Sequence, residues 1–67
     1  MTDYTVEFQD DDTVLWSFTV TADSERDAAE KAVRDSLHTK DLTGVHAFVY
    51  ESSESIYEST SFDAETL

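Results

Sequence analysis

The sequence predicts an α+β domain with the element order β-β-α-β-β, in which one helix packs on one face of a four-stranded, largely antiparallel sheet. Two observations give this prediction. Apolar residues alternate over residues 3–22 and again after Gly44, whereas between these stretches they recur with helical spacing. The chain has 67 residues, the length of one small domain. We therefore expect a single domain over residues 1–67, with residues 63–67 as a frayed tail.

The first two strands are predicted to form a hairpin. A period-2 pattern covers residues 3–9, and a second begins after three aspartates at positions 10–12. The apolar residues expected on one face are Tyr4, Val6, Phe8, Val14, Trp16, Phe18, Val20 and Ala22. Leu15 lies on the otherwise polar face and is the one exception. The aspartates lack the glycine and the spacing of an EF-hand loop, so we interpret them as a turn and predict no metal site.

One helix is predicted from Ser24 to about His38. Its apolar stripe comprises Ala28, Ala29, Ala32, Val33 and Leu37. Ser24, followed three residues later by Asp27, approximates a capping box at the first turn. The acid–base pairs expected four residues apart on its surface are Asp27–Lys31 and Glu30–Arg34. Small alanine side chains allow the helix to approach a sheet that carries large aromatic residues.

The second half of the chain is predicted as two further strands, Val45 to Glu51 and Ile56 to about Phe62. The first is apolar on both faces, which predicts burial from two sides, yet a single helix covers only one face of a sheet. The residues expected to form an exposed interface on the other face are Leu15, His46, Phe48, Tyr50 and Tyr57. Two alternatives stay open: the face assignment of this strand is wrong, or the C-terminal tail folds over the patch.

The charge composition is the most unusual property of the chain. The chain has sixteen acidic and four basic residues, which gives a formal net charge of −12. Eight aromatic residues are spread along the chain and argue against disorder. Many carboxylates, only two lysines and abundant Ser and Thr resemble the small acidic proteins of halophilic archaea. That resemblance implies a chain adapted to molar salt, where charge repulsion is screened. An acidic interaction domain that works in low salt is the alternative.

Several functional classes are disfavoured by the sequence. There is no cysteine, so disulfides and thiolate metal sites are excluded. His38 is expected to interact with the helix C-terminus and His46 to pack on a strand, so we predict no enzyme, no catalytic residues and no cofactor. No apolar run is long enough to cross a bilayer and the N-terminus lacks a signal-peptide pattern, so we expect a cytoplasmic protein without membrane contact.

Partners are predicted to be proteins. A core of this size gives the folded chain little net stability by itself. Because the chain cannot form disulfides, oligomerisation is the remaining means of additional stabilisation, so we expect a homodimer or another protein partner. A nucleic-acid or ribosome-associated factor is the alternative, although its basic footprint is missing. The hairpin followed by a helix, with the run Ala22 to Ala32, resembles HicB-type antitoxins and the archaeal ribosomal protein LX. The glycine- and proline-rich segment of HicB and the basic residues of LX are absent here, so no functional residue is transferred.

Overall fold

The structure, a computed structural model, describes residues 1–67 and contains one antiparallel sheet of four strands in the order β2-β1-β3-β4. The strands are β1 (Thr2–Asp10), β2 (Thr13–Ala22), β3 (His46–Glu51) and β4 (Thr60–Asp63). Between the two hairpins, helix α1 (Glu25–Ala32) continues into a π-helical segment (Val33–Leu37). The predicted α+β class, the order β-β-α-β-β and the four-stranded antiparallel sheet are confirmed.

The core lies between the helical segment and one face of the sheet. The residues that form it are Tyr4, Val6, Phe8, Ala22, Ala28, Ala29, Ala32, Leu37, Leu42, Val45, Ala47, Val49 and Ala64. Three of them are the predicted helix alanines, whose small side chains bring the helix backbone close to the strands. Phe8 and Phe18 pack edge to face, with ring centroids 6.0 Å apart. The core holds no charged residue, and no buried side-chain nitrogen or oxygen lacks a hydrogen-bond partner.

A β-bulge next to the turn of the first hairpin explains why Leu15 does not fit the alternation of apolar and polar residues. Asp11 and Asp12 have φ angles of 48° and 68°, both in the left-handed region, as expected for a two-residue turn that follows the twist of the strands. The register shifts between Phe8 and Gln9, so that Gln9 faces Val14 and Leu15 is the extra residue of a β-bulge. The expectation that Val14 shares a face with Trp16 is therefore wrong.

The helix begins where the sequence predicts. The Ser24 side-chain oxygen accepts a hydrogen bond from the Asp27 backbone amide at 3.2 Å. The Asp27 carboxylate in turn accepts from the backbone amide of Asp23 at 3.4 Å, one residue earlier than in a standard capping box. The first bond satisfies a backbone amide that the first helical turn leaves without a partner, and the second attaches the residue before the N-cap to the helix.

The last third of the chain differs from the prediction in two places. The fourth strand spans only Thr60–Asp63, because residues Ile56–Glu58 form a short 3-10 helix closed by local bonds in a serine-rich stretch. The C-terminal residues do not fray. Ala64 is buried and its backbone amide donates to the carbonyl of Val45 at 2.9 Å, while Leu67 packs against the core. Apolar contacts beside the helix thus order the tail.

Candidate functional site

The face of the sheet opposite the helix, here called the open face, is the main surface that the fold leaves uncovered. Strand pairing places on it Asp3, Thr5, Glu7 and Gln9 of β1, Val14, Ser17, Thr19 and Thr21 of β2, His46, Phe48 and Tyr50 of β3, and Ser61 and Asp63 of β4. Phe48 and Tyr50 lie on an inner strand and are half-buried by their neighbours. The open face therefore combines two aromatic rings with many short hydroxyl side chains.

The open face carries few carboxylates, and each has a partner. Three of the sixteen acidic residues lie there, although the chain as a whole is strongly acidic. Thr21 Oγ1 donates to Asp3 Oδ1 at 2.7 Å, Tyr50 Oη donates to Glu7 Oε2 at 2.7 Å, and His46 Nδ1 lies 3.1 Å from Asp63 Oδ1. The bond to Glu7 is the main reason why the pKa of Tyr50 is raised, and desolvation raises it further. These contacts join neighbouring strands across the face.

Three of the five predicted interface residues come together on the open face. His46, Phe48 and Tyr50 occupy alternate positions of β3. Leu15 lies at the bulge of β2 and is 41% exposed. Tyr57 is 95% exposed and belongs to the 3-10 helix outside the four strands, so strand pairing does not place it on the open face.

Val14 is an apolar residue of this surface that the sequence pattern placed on the opposite face. It is 49% exposed and lies opposite Gln9. The only sequence signal for its position is the run of two adjacent apolar residues, 14 and 15, directly after the turn, because such a run breaks strict alternation and indicates a bulge.

Neither alternative to an exposed patch on the open face holds in the structure. The register pairs Val49 with Val6 in the core and Phe48 with Glu7 on the open face, so the face assignment of β3 is correct. The C-terminal residues pack on the other side of the sheet, where Ala64 and Leu67 line a cavity with Val33 and Leu37. The tail therefore does not cover Phe48 and Tyr50.

The basic residues do not form a patch. Three of the four make ion pairs along the helical segment: Arg26 with Glu30 at 3.6 Å, Lys31 with Asp27 at 3.8 Å, and Arg34 with Asp35 at 3.3 Å. The predicted Glu30–Arg34 pair is absent, because Arg34 lies in the π-helical segment, whose wider turn no longer places it above a residue four positions earlier. His38 is the exposed C-cap residue of this segment.

A second site, which the sequence pattern did not reveal, is a cavity of about 250 Å³ at the end of the core. Four glutamates line it together with Tyr4, Val49 and Tyr50, namely Glu25, Glu51, Glu54 and Glu58. Hydrogen bonds shared with Glu51 and then Glu58 raise the pKa of Glu54 to about 7. Burial, followed by the charge of Glu25, raises the pKa of Tyr4. The sequence signal was the spacing of three glutamates at positions 51, 54 and 58 in a turn-forming stretch.

No family model, curated protein or solved structure matches this chain in comparisons with known proteins. The structure contains no helix with the length and apolar character needed to span a lipid bilayer. Function is therefore inferred from the surfaces that the fold itself presents.

Proposed function

We propose that this chain is a small protein-interaction module that self-associates through the open face, in a salt-rich cytoplasm. The observation that carries the proposal is the contrast between the open face and the rest of the surface. Phe48 and Tyr50 lie on an inner strand of a face whose three carboxylates each have a local partner, whereas most of the acidic residues lie on the turns, the helix and the loops.

The charge distribution limits the surface through which a second copy of the chain can make contact. Two molecules of charge −12 repel each other, so a stable contact requires surfaces that bring few unpaired carboxylates together. The open face meets this requirement, because Glu7 is already held by Tyr50 and the central positions of β2 are Ser and Thr. Contact between two such faces buries aromatic area, while the hydrogen bond from the Tyr50 hydroxyl offsets part of the cost of removing the Glu7 carboxylate from water.

The small core provides an independent reason for association. Thirteen of the 67 residues are buried, and six of these are alanines, which contribute little apolar area each. Domains of this size commonly use disulfides, metals or oligomerisation to raise their free energy of unfolding. With no cysteine in the chain, burial of the open face by a second copy supplies the missing apolar contact.

Molar salt is the condition in which we expect this module to work. At about 1 M salt the Debye length falls to about 3 Å, which screens the repulsion within and between copies. The alternative of a nucleic-acid or ribosome-associated factor receives no support from the basic residues, because Arg26, Lys31 and Arg34 are each paired with an acid rather than gathered on one surface.

Sedimentation equilibrium in about 2 M KCl tests the proposal. The wild-type chain is expected to associate with rising protein concentration, and Phe48→Ser is expected to weaken association strongly. Tyr57→Ser is the matched control, since it removes an aromatic ring that is more exposed than Phe48 but lies outside the sheet. We expect this control to associate like the wild type.

Tyr50→Phe provides a second, finer variant. It keeps the ring and removes only the hydroxyl that donates to Glu7, so a carboxylate without its partner would have to be buried at the contact. We expect weaker association than in the wild type. A wild-type chain that stays monomeric at millimolar concentration in high salt, or equal weakening by Phe48→Ser and Tyr57→Ser, would disprove the open-face contact.

A further inference from the structure

The outer edge of β2 is a second uncovered surface, and it differs from the rest of the molecule in charge. β2 is an edge strand of ten residues, paired only with β1. None of its residues is charged, although the chain carries sixteen acids and four bases, and it contains neither proline nor glycine. The opposite edge strand, β4, has only four residues. Edge strands of soluble proteins are commonly shortened or protected by charges, prolines or β-bulges. On β2 the bulge at Leu15 and the Lys31 ammonium at Thr21 protect the two ends, which leaves the middle of the strand unprotected.

Hydrogen bonding identifies which backbone groups of this edge are free. The carbonyl of Asp3 accepts a hydrogen bond from the backbone amide of Ser52, on the β3 side. The backbone groups of the odd-numbered β1 residues therefore bond to β3, and those of the even-numbered residues bond to β2. Their partners on β2 are Phe18 and Val20, among others. The backbone groups of Ser17, Thr19 and Thr21 therefore point away from the sheet.

The ammonium group of Lys31 supports this assignment and marks one end of the free edge. Its Nζ donates to the carbonyl oxygen of Thr21 at 3.1 Å, which requires that this carbonyl point outward. At the other end, the bulge at Leu15 interrupts the regular ladder. Ser17 and Thr19 lie between these two limits, and their outward amides and carbonyls have no partner among the backbone bonds of the hairpin.

We propose that β2 pairs antiparallel with β2 of a second copy of this chain, which joins the two sheets into one continuous sheet. A two-fold axis at Phe18 places Ser17 of each copy opposite Thr19 of the other, so that each facing pair exchanges both backbone hydrogen bonds. The same register brings the two Phe18 side chains beside each other on the helix side, where each is only half-buried in one copy.

Charge explains why the occupant is a second copy. A strand from a partner of opposite charge would be attracted mainly to the acidic turns and helix, whereas an uncharged edge gains nothing from such a partner. The ten residues of each β2 edge are uncharged, and the free donors and acceptors of two such edges are complementary by symmetry. The same register places the turn at Asp11 and Asp12 of each copy opposite residues 24 and 25 of the other, so this contact requires the screening of molar salt. This contact is separate from the open-face contact and shares with it only the premise that the chain self-associates.

Amide hydrogen exchange measured by nuclear magnetic resonance tests the pairing directly in the wild-type chain, in about 2 M KCl at low and high protein concentration. The amides of Phe18 and Val20 bond to β1 and should be protected at both concentrations. Those of Ser17 and Thr19 should exchange rapidly in the dilute sample and at least about tenfold more slowly in the concentrated one. Protection of Ser17 and Thr19 in a monomer, or rapid exchange in an associated sample, overturns the proposal.

Two substitutions at one position give a matched test by sedimentation. Thr19→Pro removes an outward donor and places the ring where the second strand must approach, while the bonds to β1 stay intact. Thr19→Ala removes the same side chain but keeps the amide. We expect edge association to weaken about tenfold or more in the proline variant, which changes two sites per contact, and little in the alanine variant. Equal association of the two variants, with folding verified by Trp16 fluorescence, contradicts the pairing.

The outcomes separate this proposal from the open-face contact. In Phe48→Ser, Ser17 and Thr19 should still become protected as concentration rises, since the edge is unchanged. Association that Phe48→Ser abolishes, without any protection of Ser17 and Thr19 in the wild type, leaves the open-face contact standing and the edge pairing wrong. A chain that is monomeric under all conditions disproves both.

Discussion

Truncation of two neighbouring residues of β3 tests whether the sheet has one core face and one interaction face. Val49 is fully buried against the helix side, and Phe48, the adjacent residue, points to the open face and is half-buried. If the two faces have these roles, Val49→Ala should destabilise the isolated molecule more than Phe48→Ala does, even though phenylalanine loses far more atoms than valine.

The expected magnitudes follow from burial. Val49→Ala removes two buried carbon groups, at about 0.8 kcal/mol each, and leaves a cavity that adds about 0.5–1 kcal/mol, for a total of about 2–2.5 kcal/mol. Phe48→Ala removes a ring that is already partly in water, and we expect a loss of about 1 kcal/mol in the monomer. A domain of this length has a total stability of about 3–10 kcal/mol, so the first change is a large fraction of it.

Urea unfolding in about 2 M KCl, at a protein concentration low enough to suppress association, measures both values. Trp16, the only tryptophan, reports unfolding because it packs against the core. In a separate thermal unfolding experiment, the melting temperature of Val49→Ala should lie about 8–20 °C below that of the wild type. A loss below about 0.5 kcal/mol for Val49→Ala, or an equal loss for both variants in the monomer, would refute the assignment of the two faces.

Three further predictions concern charge and the hairpin turn. The melting temperature of the wild type should rise between low and molar salt, because screening relieves charge repulsion in the compact state more than in the unfolded chain. Circular dichroism across a salt titration measures this temperature, and an unchanged value contradicts salt adaptation. In low salt, stability should fall as pH rises from about 4.5 to 7, since folded Glu54, with its pKa raised to about 7, retains a proton that the unfolded chain releases at its ordinary pKa of 4.5. Melting curves of Glu54→Gln should lack this part of the pH dependence. A pH profile identical to that of the wild type would contradict the hydrogen bonds of protonated Glu54 with Glu51 and Glu58. Asp12→Gly should stabilise the hairpin by about 0.5–1 kcal/mol in urea unfolding, because glycine adopts φ near 68° without the cost that a side chain carries; a loss of stability would show that the Asp12 side chain holds the turn.

The sequence was sufficient to predict the architecture because the hydrophobic period changes at the element boundaries. Alternation around Val6 and Phe8 predicts strands, and the spacing of Ala28, Ala29 and Ala32 predicts a helix, whereas the strand order and the face assignment of β3 stayed open. The placement of His46, Phe48 and Tyr50 on the open face followed directly from the alternation within β3.

The features that the sequence did not reveal depend on contacts between distant segments. The bulge at Leu15 changes which face Val14 occupies, and it is set by the pairing with Gln9 rather than by the local pattern. The tail is ordered because Ala64 meets the core, which no local propensity encodes. The glutamate cavity forms only when the turn after β3 approaches Glu25.

Electrostatics and shape have separate roles in the association proposed for these surfaces. The net charge of −12 acts at long range: at about 0.01 M salt the Debye length is about 30 Å, comparable to the longest dimension of the molecule, 28 Å, so every approach is opposed regardless of orientation. At about 1 M salt the repulsion is confined to direct contacts between carboxylates. Only then do the two surfaces with few or no unpaired acids, the open face and the β2 edge, become distinguishable from the rest. In the proposed association, salt therefore determines whether copies meet, and the placement of the carboxylates determines which surfaces stay together.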